Sequence, residues 1–213
     1  MGNQSIILRG KRWGKFLVNY IKERSRGLDF SMLYVGELQR NTEAFHGYSM
    51  TDEGDMKRML QAIPVDAGKS AFLDVGCGKG MCMKCAVESG YKKVAGLDLD
   101  KHLLDIAMKN MKKLNMEVSC IYANAVEFTE YADYDVFYFY NPFGEEIFKE
   151  VIQKIKDSQI EHNREIWVAY YHPVFGKLFV DAGFIMEKEL HDRTRDTTTH
   201  FYRYPKWELS EFS

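Results

Sequence analysis

Three short stretches carry residues whose types and spacing suit chemistry. FLDVGCGKG (72–80) sets Gly76, Gly78 and Gly80 directly after an apolar run, with Asp74 two residues ahead of the first glycine. Glycines at a strand-to-helix turn let a ligand approach bare main chain, while the helix amides face it. The dinucleotide fingerprint would need a glycine where Met81 stands, and the phosphate-cradling loop G-x-x-x-x-G-K-[ST] is absent. An acid so close to the turn suits a cationic ligand and repels a pyrophosphate. In VAGLDLD (94–100), Asp98 ends an apolar run, where a carboxylate can accept both hydroxyls of a ribose. A cap for the following helix is the alternative use of such an acid, and Asp100 fits that cap better. In YDVFYFYNPFGE (134–145), an aromatic run stops abruptly at Asn141-Pro142-Phe143. At a strand end the Asn141 carbonyl and the Tyr140 and Asn141 backbone can accept hydrogen bonds from an amine, and Phe143 can cover a flat or aliphatic group. The plain alternative is that Asn-Pro merely terminates the strand.

The elements around these stretches alternate. The pattern predicts helices over 9–26, over 28–40 and from Asp52 to Pro64, then strands over 70–75, 94–98, 118–125, 135–140 and 165–171. Between the strands it predicts helices over 81–89, 101–114 and 143–155, with a short one over 173–182, and Gly90 and Gly183 close two of them. FIMEKELHDRTRDTTTHFYRYP (184–205) then reads as two strands and a polar turn without a helix between. Five β-α units and a terminal hairpin imply an α/β chain, its parallel sheet carrying one antiparallel strand.

Composition narrows the rest. The chain has 213 residues, 46% hydrophobic and 28% charged, which supports one substantial core. A net charge of -2 argues against a polyanion binder as a whole, yet Arg9, Lys11, Arg12, Lys15, Lys22, Arg24 and Arg26 face only Glu23. That basic segment, 9–26, is a candidate for weak contact with nucleic acid or an acidic partner, or simply a solvated helix face. No run of eighteen apolar residues spans a membrane, and the first residues lack the order of a signal peptide. Met1-Gly2 lacks the Ser or Thr at position six that myristoylation wants, since Ile6 is there. Cys77, Cys82, Cys85 and Cys120 lack a second pair or histidines at ligand spacing, so no metal site is expected; they read as small apolar residues in a reducing, cytoplasmic setting.

Taken together, FLDVGCGKG, VAGLDLD, YANAVEF and YNPF resemble the class I S-adenosylmethionine-dependent methyltransferases over roughly residues 41–205. HGYSMTDEG, FLDVGCGKG and YNPFGEE are more narrowly similar to bacterial members of unassigned substrate, which share distant features with lysine methyltransferases. The resemblance implies a three-layer, Rossmann-like fold with a seven-stranded sheet, mostly parallel with a reversed last strand. It also implies a domain over 41–213, preceded by an N-terminal helical arm over 1–40. It implies S-adenosyl-L-methionine as donor and S-adenosyl-L-homocysteine as product. Gly76, Cys77, Gly78 and Gly80 would pass beneath the methionine part, with Asp74 near its ammonium group. Asp98 would hold the ribose, Leu99 would lie against the adenine, and Asn124 with Ala125 would meet the adenine edge. Tyr48 and Thr51 match a loop that closes over the donor, although Met50 stands where that group often has proline. Asn141, in the Asn-Pro-Phe turn, would adjoin both donor and acceptor.

Methyl transfer asks mainly for alignment and exclusion of water. A base is needed only for a protonated acceptor, and the candidates are His172, in YYHP, together with Glu145, Tyr171 and His46. The leading expectation is a methyltransferase acting on nitrogen: a protein lysine, a small amine or a base. The alternative is a donor-binding or partner-binding protein with a vestigial site. An NAD-dependent oxidoreductase is disfavoured by Met81 and the terminal hairpin.

Overall fold

A computed structural model describes residues 14, 17–31, 53–193 and 195–208. The described part of the first helix, α1, covers 17–25, and α2 covers Glu53–Ala62. The alternation then runs β1 (Ala71–Val75), α3 (Met81–Glu88), β2 (Lys93–Asp98), α4 (Lys101–Lys113) and β3 (Ser119–Tyr122). After a 3-10 turn at Glu130–Asp133 come β4 (Val136–Tyr140), α5 (Glu145–Glu161), β5 (Ile166–Tyr171), α6 (Lys177–Asp181), β6 (Ile185–His191) and β7 (Thr198–Tyr204).

The seven strands form one sheet in the order β3-β2-β1-β4-β5-β7-β6, and β7 runs antiparallel to both of its neighbours. This is the seven-stranded, mostly parallel sheet with a reversed last strand that the sequence implied. Strand residues alternate between two cores. Phe72, Val94, Val136, Tyr138 and Trp167 face one side, packed with Met59 and Leu60 of α2, the buried face of α3, and Leu104 and Met111 of α4. Leu73, Leu97, Phe137, Phe139 and Tyr170 face the other, under Phe148, Val151, Ile152 and Ile155 of α5 and Phe179 of α6. β4 and β5 are apolar throughout because helices cover both of their faces.

The helix boundaries follow local chemistry. Asp100 caps α4 as expected, its Oδ1 accepting from the amides of His102 (2.9 Å) and Leu103 (3.2 Å). α5 begins at Glu145 and not at Phe143, and it runs six residues past the predicted end at 155. The apolar period stops at Ile155, but the next turn buries polar side chains. Ser158 and Gln159 are both buried, and the Gln159 amide donates to the carbonyls of Arg164 and Pro205. A hydrophobic pattern does not register a buried polar turn.

The predicted arm does not stand apart from the domain over its described residues. Leu28 and Phe30 are buried within the core that holds α2 and α3. Residues 28–31 are not helical, and Glu23 accepts from the amides of Phe30 and Ser31. Asn110 of α4 is the fastening: its Oδ1 accepts from the Asp29 amide (2.8 Å), and its Nδ2 donates to the carbonyls of Asp29 (3.0 Å) and Lys79 (3.1 Å). Lys79 lies inside the glycine turn and pairs with Asp29 at 2.8 Å. Of the basic segment, Arg24 is engaged by Asp29 (3.0 Å) and lies over the Tyr20 ring. Its members up to Lys15 lie outside the described residues.

Asn110→Ala removes three largely buried hydrogen bonds at once. It should destabilise the protein by about 2–4 kcal/mol, at roughly 1 kcal/mol per bond with unpaired groups left behind. Urea unfolding checks this, and a midpoint unchanged from wild type would show that the segment is held by Leu28 and Phe30 alone.

Candidate functional site

The turns after β1, β2, β3 and β4 meet at the carboxyl edge of the sheet, and each holds the next. The amides of Gly76 and Cys77 both donate to the Leu97 carbonyl, at 2.9 and 3.0 Å. Asp98 sits at the end of β2, where Oδ2 accepts from the Gly78 amide (2.8 Å) and Oδ1 from Asp100 (2.9 Å). The Asp98 carbonyl in turn receives the Ala123 amide, tying the end of β3 to the same edge. Burial raises the Asp98 carboxyl above the ordinary range, against the pull of its backbone donors.

The three glycines do different things. Gly76 has φ +85, and a side chain there would place its Cβ 2.9 Å from the Pro142 ring. Gly78 also takes positive φ, with its amide on Asp98. Gly80, at φ +85, faces away: a Cβ would press on Met111 and Ala107 of α4. Its glycine therefore serves the packing of α3 against α4. Cys77 is buried and turned into the sheet, where its side chain and that of Met83 occupy the space a Cβ on Gly96 would need. Burial holds the thiols of Cys77 and Cys82 well above the ordinary range, so they stay protonated.

Asp74 is 2% exposed, flanked in the sheet by Gly96 and Tyr138. Desolvation first, and then the charge of Asp98, push its carboxyl well above the usual range. Neither influence is a cation or a hydrogen-bond donor. Leu99, which follows Asp98 at the end of β2, is 45% exposed. Asn124 folds its own Oδ1 back to the Val126 amide (3.2 Å), and the buried Ala125 accepts at its carbonyl from the Tyr131 hydroxyl.

Two expectations for the Asn-Pro-Phe turn need correction. The Asn141 Oδ1 is turned into the sheet and accepts from the buried Tyr170 hydroxyl at 2.7 Å, so one of its two lone pairs is spent inside the fold. Asn141 also adopts φ 42, a left-handed conformation that asparagine tolerates better than most residues. Phe143 does not cover the crevice: it is 6% exposed and packs against Phe148, because α5 starts only two residues later and carries the ring into the core. Pro142 leans on the glycine turn. His172, at φ 53, is exposed, and its Nδ1 lies 3.1 Å from Thr197 Oγ1 in the hairpin turn. Glu145 pairs with Lys149 on the surface. Tyr48, Thr51, Met50 and His46 lie outside the described residues.

A second group at this edge joins Tyr171, a candidate base from the sequence, to residues of the hairpin turn that the sequence did not single out. Tyr140 and Tyr171, neighbours on β4 and β5, have ring centroids 4.6 Å apart. Arg195 donates to the Tyr140 hydroxyl (2.9 Å), and the Tyr171 hydroxyl donates to Asp192 (2.5 Å). Asp55 of α2 accepts from Arg58 (2.9 Å) and from the Arg193 amide (3.2 Å), clamping the hairpin turn to that helix. The sequence signal for the turn's share of this group is DRTRD, which reads as any polar turn.

Among the described residues, no helix is long and apolar enough to cross a membrane, and no cluster of His, Cys, Asp or Glu is placed to hold a metal. Residues 72–158 match the family model described as a methyltransferase domain. No curated protein matches the chain. Among solved structures, a methyltransferase from Pyrococcus furiosus is similar with TM-score 0.62 at 20% identity, covering 92% of this chain and 98% of that one. An RNA methyltransferase from Salinibacter ruber, in complex with S-adenosyl-L-homocysteine, gives 0.55 at 17% identity, covering 78% and 99%. The ribosomal protein L11 methylase from Lactobacillus delbrueckii subsp. bulgaricus gives 0.56 at 14%, covering 85% and 93%. Residues 72–158 thus match a methyltransferase domain, and the whole described sheet shares the fold of these methyltransferases.

Proposed function

We propose that the crevice binds S-adenosyl-L-methionine across the ends of β2 and β1 and passes its methyl group to a nitrogen presented at the end of β4. The observation that carries the donor's placement is Asp74, a carboxyl 2% exposed beside Gly96 and Tyr138, with no positive charge acting on it among the described residues. A bound ammonium group supplies the missing charge. The fit extends to the turn, where Gly76 and Gly78 take positive φ and present main chain without side chains between Asp74 and Asp98. Asp98 accepts from the backbone amides of Gly78 and Asp100 at its two oxygens and from Leu99 besides, and the capacity left on the carboxylate suits a ribose hydroxyl. Leu99 offers apolar surface for the adenine, and Asn124 with Ala125 closes its edge.

When bound, the donor supplies a methyl group on positively charged sulfur. The chain's part is to fix the donor's two ends, hold the acceptor in line and keep water out. The nitrogen assignment rests on the edge itself and on the similarity of HGYSMTDEG and YNPFGEE to the narrower bacterial group. The backbone carbonyls of Tyr140 and Asn141 accept N–H donors and so orient an amine. His172 is the base at this edge for an acceptor that arrives protonated. Incubation with tritiated donor and fractionated cell extract tests the reading. Label is expected in a product that keeps its methyl group in mild alkali, whereas label released as methanol would mark a carboxylate acceptor and overturn the nitrogen assignment.

Asp98→Ala should weaken S-adenosyl-L-homocysteine binding by about 1.5–3 kcal/mol, or roughly 10- to 150-fold, since charged hydrogen bonds to the ribose and to the Gly78 amide are lost together. Calorimetric titration measures this, and wild-type affinity would place the ribose elsewhere.

The sign of the pH dependence follows from Asp74. In the free protein burial and Asp98 favour the protonated acid, and a bound ammonium favours the carboxylate. Binding near the raised value therefore releases a proton, and affinity falls as pH drops through it. Titrations in two buffers of different ionisation heat should reveal that release. Asp74→Asn should abolish it and weaken affinity about tenfold, the loss of one charge-assisted contact.

A further inference from the structure

On the acceptor's side of the crevice His172 is a base and not a contact that sets the acceptor's position, and the group around Tyr140 lies there. Tyr140 stands one residue beyond the Val75–Phe139 pair, level with Gly76 and one strand, about 5 Å, across from it. By strand alternation it lies on the same face as Asp74 and Tyr138. Along that face the strand order β2-β1-β4 passes from Asp98 to Asp74 to Tyr140. A donor with its ribose at Asp98 and its ammonium at Asp74 leaves β4 as the next strand in line. An in-line displacement requires the acceptor on the far side of the methyl carbon from sulfur. Tyr140 and its partner Tyr171 hold that side.

Both hydroxyls are fixed from the β6–β7 turn, Tyr140 by Arg195 and Tyr171 by Asp192. That turn is itself fixed by Asp55, whose side chain is 6% exposed. Arg58 bonds both Asp55 and the His191 carbonyl, closing the clamp. Asp55 Oδ2 and Arg58 Nε remain buried without a partner. Two unsatisfied polar atoms in one clamp are a poor bargain for stability alone. They are accounted for if the clamp's task is to hold the turn at one height above the crevice.

We infer that Tyr140, held by Arg195, contacts the methyl acceptor and sets its position, and that Asp55 is a positioning residue acting through the turn. This rests on the donor placement proposed above. Transfer is the movement of a nitrogen lone pair to the methyl carbon as the carbon–sulfur pair returns to sulfur, with the acceptor's proton lost to solvent or base. Tyr140 takes no part in that exchange of electrons.

The test pairs S-adenosyl-L-homocysteine titration with transfer of tritiated methyl groups into cell extract. Tyr140→Phe and Arg195→Ala should each cut transfer at least tenfold, with affinity for S-adenosyl-L-homocysteine within threefold of wild type. Asp55→Ala should do the same, and Asp55→Asn, which keeps an oxygen for the Arg193 amide, should restore at least a third of the lost rate. Thermal midpoints measured alongside identify variants that fail to fold, and Tyr140→Phe, which keeps the ring, carries the test if Asp55→Ala does. Undiminished transfer by Tyr140→Phe overturns the assignment alone. So does loss of donor affinity in parallel with rate, which would assign the group to the donor pocket. A wild-type protein that binds no S-adenosyl-L-homocysteine overturns the donor placement, and this inference falls with it. Donor binding without transfer by the wild type overturns the acceptor site.

Discussion

The contact on which the crevice depends is the approach of Pro142 to Gly76. β1 and β4 are parallel neighbours, so the turns that follow them leave the sheet side by side and compete for one space. Only a residue without a side chain lets both turns fit, because a Cβ on Gly76 would come within 2.9 Å of the proline ring. The positive φ at Gly76 points the same way. Once the first turn is fixed in this way, its amides fall on Leu97 and Asp98, and the ends of three strands become one rigid edge. A ligand bound there meets main chain set in advance, which saves the entropy of ordering it.

That edge is assembled at some expense to stability. Asp74 is buried near Asp98 with no counter-charge among the described residues, and both carboxyls are displaced toward the protonated form. A chain selected for folding alone would not place two acids together in a low-dielectric site. The arrangement makes sense for a protein whose ligand brings the positive charge. Stability comes from elsewhere: from the two aromatic cores, and from Asn110, which braces the glycine turn against α4 and the N-terminal segment.

The reversed strand has a consequence for the opposite end of the crevice. β6 runs parallel to β1–β5 and therefore ends at the carboxyl edge, and β7 returns from there antiparallel. The turn between them, 192–197, thus comes to lie beside Tyr140, Tyr171 and His172. Had the last strand been parallel, a crossover helix would have replaced that turn. Reversal supplies the crevice with a second polar wall, and α2 secures it through Asp55.

The sequence by itself determined the order of elements, the parallel sheet with its terminal hairpin, the Asp100 cap and the glycine turn between two acids, since each is written in local periodicity or in a short fixed spacing. It misread Phe143 and the Asn141 carbonyl, because a turn's residues carry no mark of whether they face solvent or core; the start of α5 decides that, and it depends on packing against β4 and β5. It missed the end of α5 because the Arg164 and Pro205 carbonyls that satisfy Gln159 come from distant loops. Only the tertiary structure brought Asp55, Tyr140 and Arg195 to one corner. They lie far apart along the chain, on a helix, a strand and a turn, and no pattern shorter than the whole sheet relates them.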